Sequence, residues 1–92
     1  MTPEHAQTVA LQALAFIAMD EDALNGLLNL TGLDIGTLRL RANDPELQAG
    51  VLDYLLQHEP RLLAFCEHID VKPDTPAKAR ALLPGADFPH YT

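Results

Sequence analysis

The chain has no serine, no tryptophan and one cysteine, and neither lysine nor arginine occurs before position 39. Each gap removes a class of protein. Without serine, a Ser-His-Asp hydrolase is excluded. A lone Cys66 cannot close an internal disulfide, so nothing demands an oxidising compartment. Thirteen acidic residues against six basic ones give a formal net charge of −7, which repels phosphate backbones and anionic headgroups at long range. The five glycines are scattered singly, so no phosphate-cradling loop is present. No apolar run approaches the roughly 20 residues that cross a bilayer. The N-terminus lacks the basic stretch, apolar segment and small-residue cleavage site of a secretory signal. These gaps predict a cytoplasmic protein without membrane contact, catalysis, cofactor or metal.

What is abundant is leucine and alanine, within a hydrophobic share of 48% against only 5% aromatic residues. Both lose little on entering a helix. A chain of 92 residues fits one domain and buries about 60 to 65% of the surface its unfolded form exposes, so its core must be efficient. The predicted fold is all-α: a single orthogonal bundle of five or six short helices over residues 1–85, followed by a flexible C-terminal tail, 86–92.

Three times a capping residue stands directly before proline, in Thr2-Pro3, Asp44-Pro45 and Thr75-Pro76. Proline suits the first helical turn, where its missing N–H would be unpaired anyway, and the preceding oxygen can accept from the next free N–H groups. All three predict helix starts. From Pro3 to about Ala18, Ala6, Val9, Ala10, Ala13, Phe16 and Ile17 follow helical spacing, with Leu11 and Leu14 at the margin. Only an arc through Glu4, Thr8 and Gln12 stays polar, which makes this the central helix.

Asp20 predicts the cap of a second helix running to about Leu30, with Met19 and Leu24 spaced as a hydrophobic staple and Leu24, Leu27 and Leu28 buried. Gly32 is the stop and Asp34 the next cap, opening a short third helix to about Arg41 with Leu33 and Leu38 as its staple. A fourth helix runs from Asp44 to about His58 through Leu47, Val51, Tyr54 and Leu55. Pro60 predicts a break at Glu59. Leu62, Phe65, Cys66 and Ile69 form one face of a fifth helix ending near Asp70, and Thr75 caps a last one that Pro84-Gly85 stops.

"LLNLTGLDIGTLR" is therefore a helix–turn–helix corner, and the question is whether it reads DNA. A recognition helix needs side chains that reach base edges and cations that neutralise phosphates. The third helix offers Thr37, Arg39 and Arg41, while Asp34 sits at its leading end and Glu21 and Asp22 charge the helix before it. Nucleic acid is thus a disfavoured partner, and a small DNA-binding regulator is the alternative reading.

His58-Glu59 and Glu67-His68 resemble acid–base pairs, yet adjacent helical residues diverge by about 100° and share a substrate or metal poorly. Cys66 and His68 diverge likewise, and Cys66 is in register with Leu62 and Ile69, which predicts a buried apolar thiol. No catalytic, cofactor or metal residue is assigned. Leu11, Leu40 and Leu56 lie off the main apolar stripes of their helices and form the predicted partner surface.

The strings "LQALAFIA", "LTGLDIGTLR", "DPELQAGVLDYLLQHE", "LLAF" and "ALLPG" together resemble the short alphaproteobacterial proteins grouped as domain of unknown function 3572, over roughly residues 5–85. Asn25-Gly26-Leu27 stands where an aromatic-containing stretch is expected, and Cys66 where a small residue is. The resemblance implies a small helical cytoplasmic protein and carries no functional residue. The reading is an acidic protein-interaction module without catalysis, binding a basic or apolar protein partner, with a homodimer among the permitted states.

Overall fold

The computed structural model describes residues 1–85, and the tail predicted over 86–92 lies outside the described residues. Six helices follow in order: α1 (Pro3–Ala18), α2 (Glu21–Thr31), α3 (Ile35–Leu40), α4 (Pro45–Leu56), α5 (Glu59–His68) and α6 (Thr75–Ala81). The fold is all-α. Its extents of 29 × 28 × 26 Å are nearly equal.

Four helix starts follow from side-chain oxygens replacing the partners that first-turn N–H groups lack. Thr2 accepts from the N–H of His5 at 3.1 Å, Asp20 from Asp22 at 3.1 Å, Asp34 from Thr37 at 2.8 Å and Asp44 from Glu46 at 3.0 Å. Two boundaries differ from the sequence expectation. Helix α6 begins at Thr75 itself, with Asp74 as the cap residue and no side-chain capping bond. The proline ring fits the second helical position as well as the first, so Thr75-Pro76 does not fix which residue caps. Helix α4 ends at Leu56, short of His58, and Glu59 already belongs to α5. Pro60 explains this, because its ring would clash with the carbonyl four residues earlier, that of Leu56.

Helix α1 packs against α2, α4 and α6, and α4 packs against α6 and α5. Ala6, Val9, Ala10, Ala13 and Ile17 of α1 are buried, as are Leu47, Val51, Leu52 and Leu55 of α4 and Phe65 of α5. The alanines let the helix backbones approach closely. Phe16 and Phe65 meet in a tilted pair with centroids 5.6 Å apart, a favoured aromatic geometry. Arg80 ties α6 to α4: its Nε donates to Asp53 at 2.7 Å while its guanidinium also donates to the carbonyl of Pro84 at 2.9 Å.

Among the described residues Gly32, Asp70 and Gly85 (φ 92°) adopt positive φ, and the first two close helices. Gly32 (φ 73°) closes α2, donating to the Leu28 carbonyl at 2.9 Å. Asp70 (φ 58°) closes α5, with the Val71 N–H reaching the Cys66 carbonyl at 2.9 Å and the Asp70 N–H reaching that of Glu67 at 3.3 Å. That pair of bonds is a Schellman closure.

Candidate interaction surfaces

The corner comes first, because both functional readings pass through it. Leu38 is buried and Leu33 packs against the core, so α3 is held by one leucine and its cap. Asp34 binds the Thr37 N–H, and that hydrogen bond is the main cause holding the Asp34 carboxyl below its ordinary range. Thr37 is itself partly buried. Arg41, the residue after α3, pairs with Asp44 at 2.7 Å, and this bond is the main reason the Asp44 carboxyl titrates lower than usual. Arg39 is exposed and forms no ion pair among the described residues.

The other cations are mostly engaged. Lys78 pairs with Asp74 at 3.2 Å and Arg80 with Asp53. Arg61 lies over the Tyr54 ring, 5.2 Å from its centroid.

Leu11, Leu40 and Leu56 do not share an environment. Leu40 is 87% exposed and Leu11 exposed, whereas Leu56 is partly buried. None of the three lines the concavities described next.

One groove, of about 370 Å³, lies where α3 meets α1 and α2. Leu14 and Ala18 of α1, Leu24 of α2, and Ile35 and Leu38 of α3 form its walls, with Arg39 at its side. Ile35 remains 41% exposed, and Leu24 is only partly buried. A second concavity, of about 260 Å³, runs between the end of α1 and the start of α5, past Phe16, Met19, Asp20, His58 and Arg61. Phe16 and Met19 also border a third, of about 230 Å³, with Gln12 and His68. Met19, expected to fold over Leu24 as a staple, is 66% exposed here.

The nucleophile and metal candidates are not brought together. Cys66 is buried, and burial is the main cause raising its thiol pKa, which lowers its reactivity. His68 is exposed and stacks on Phe16 with centroids 5.3 Å apart. Among the described residues no cluster of three or more His, Cys, Asp or Glu could hold a metal ion, and no helix is long and apolar enough to cross a membrane.

The sequence model of a family described as "Protein of unknown function (DUF3572)" matches residues 3–86. The chain belongs to this family. No curated protein and no solved structure matches it. The matched span includes the corner and "DPELQAGVLDYLL". The Tyr54 hydroxyl donates to the Ala23 carbonyl at 2.7 Å, and a β-carbon on Gly26 would overlap that hydroxyl. An aromatic ring from α4 thus covers the glycine in α2.

Sequence reasoning missed all three concavities of this DUF3572 protein. By spacing alone Met19 is a staple partner of Leu24, Leu14 lies at the margin of the α1 stripe, Phe16 and Leu24 belong to apolar faces, and Ile35 carries no assignment. Each residue type is what a core requires. Only the crossing of helices leaves these side chains half-covered.

Proposed function

We propose that this DUF3572 protein is a non-catalytic interaction module that receives a protein partner in the α1–α2–α3 groove. The observation that carries the reading is the groove itself: partly buried Leu14 and Leu24 and exposed Ile35, on three helices, face one concavity of about 370 Å³ floored by buried Leu38. Apolar surface of this kind, gathered and not scattered, marks contact sites. A helix laid into such a groove is a common peptide-recognition mode. The buried, inert Cys66 thiol and its lack of a disulfide partner accord with residence in the cytoplasm.

The DNA-binding alternative draws less support. Of its proposed contacts Thr37, Arg39 and Arg41, only Arg39 is an uncommitted cation; Arg41 is bound to Asp44. Opening that ion pair would offset part of any gain from a phosphate.

A photo-crosslinking residue in place of Ile35, expressed in the native host, tests the proposal. A discrete adduct is expected from position 35, none from the exposed Leu82 just after α6, and loss of the adduct when Ala18→Arg fills the groove. Equal labelling at positions 35 and 82, or none at 35, overturns it.

A further inference from the structure

We infer that the occupant of the α1–α2–α3 groove is an amphipathic helix of a partner protein that places a carboxylate against Arg39. The inference rests on the interaction reading above and names the chemistry of its partner.

The walls dictate the shape of the occupant. Leu14 and Ala18 are four residues apart on α1, and Ile35 and Leu38 three apart on α3, so each wall repeats once per helical turn. Side chains at i, i+3 or i+4, and i+7 of a docked helix fit between such ridges.

Charge then dictates its composition. Arg41, Lys78 and Arg80 are paired, and Arg61 stacks on Tyr54. Arg39 lines the groove with no ion pair among the described residues. A helix covering the groove would exclude water around that guanidinium, where a carboxylate binds it through paired charge-assisted hydrogen bonds and the lower local dielectric strengthens the attraction. At the other end of α3, about 7 Å away by helical rise, Asp34 caps the first turn with its carboxylate on the Thr37 N–H. An acid is attracted at one end and repelled at the other, which fixes the direction of the bound helix.

The chain's net charge of −7 makes the inference sharp, because long-range attraction alone would select basic peptides. A display library of randomised 16-residue helices, selected separately on the wild-type chain and on R39E, reads the difference. Wild type is expected to enrich apolar residues at helical spacing with Asp or Glu on one flank, and R39E to exchange that acid for Lys or Arg. A selected peptide should lose at least about tenfold in affinity for R39E and regain it when its acid becomes Lys. Arg39 is exposed and unpaired, so the variant should fold; R39Q serves as the second variant and should simply lose the acid preference.

Enrichment of basic peptides by wild type, or acid enrichment indifferent to residue 39, overturns the inference. So does a concentration-dependent dimer sealed through the groove. Groove binding that ignores residue 39 removes the acidic partner and leaves the interaction reading standing. Absence of any crosslink from position 35 removes the interaction reading as well.

Discussion

The centre of the molecule and its α2–α3 corner are built on opposite terms. Helix α1 buries five residues and α4 six, whereas α3 buries Leu38 alone and α2 only Ala23 and Leu27. The centre is held by packing. The corner is held by termini: Asp20 and Asp34 cap its two helices and Gly32 closes the first of them. Hydrogen bonds at helix ends need no lid of side chains above them. A corner secured in this way can leave Ile35, Leu24 and Leu14 half-covered and available, and that is where the groove lies.

Truncation should separate the two regions most strongly. Leu52→Ala removes a fully buried side chain of α4 and is expected to cost about 3–5 kcal/mol, against about 2 for Leu38→Ala at the periphery, read by chemical denaturation. Amide exchange should likewise open α3 well before α1. Equal losses at both leucines, or simultaneous exchange, would break the comparison.

The seam between the regions gives the next effect. Gly26→Ala forces a methyl group into the Tyr54 hydroxyl and should cost about 1–3 kcal/mol. In a Tyr54→Phe background the penalty should shrink, although Tyr54→Phe itself removes the hydroxyl's bond to the Ala23 carbonyl, which keeps its helical partner, and costs about 1 kcal/mol. A penalty unchanged between the two backgrounds would place the strain elsewhere.

The left-handed closures of α2 and α5 form a smaller matched test. Asp70 adopts φ 58° with a side chain that disfavours it, while Gly32 adopts φ 73° freely. Asp70→Gly should raise stability by about 1 kcal/mol and Gly32→Ala lower it by a similar amount, measured as opposite shifts in thermal midpoint.

The smallest effect is acid sensitivity at the caps of α3 and α4. The Asp34 and Asp44 carboxyls are held below the ordinary aspartate range by their hydrogen bonds. A depressed folded-state pKa contributes stability that is complete above the unfolded value and is lost as pH falls through the folded one. The thermal midpoint should therefore fall more steeply below about pH 4 in wild type than in Asp34→Asn/Asp44→Asn. Parallel curves would show that neither cap contributes through its charge.

The ease of reading each feature from the sequence follows the range of the interaction behind it. Thr2, Asp20, Gly32, Asp34 and Asp44 act within four residues of themselves, and each sits where its chemistry requires. His58 and Asp74 precede helices without any side-chain capping bond, so no local signal marks them, and α6 begins one residue before the start that a Thr75 cap predicts. Asp70 gave no sign of left-handed backbone because aspartate is usually a cap or a turn residue. The contact of Gly26 with Tyr54, 28 positions apart, had no local trace at all.

From the linear chain came the helices, their breaks and the all-α class, since capping and apolar periodicity depend on neighbours within about one or two turns. The grooves, the pairing of Arg41 and Arg80, and the isolation of Arg39 emerged only when the helices crossed. Those features depend on angles and separations between elements, and a side chain able to fill a core looks the same in the sequence whether a neighbouring helix covers it or stops short.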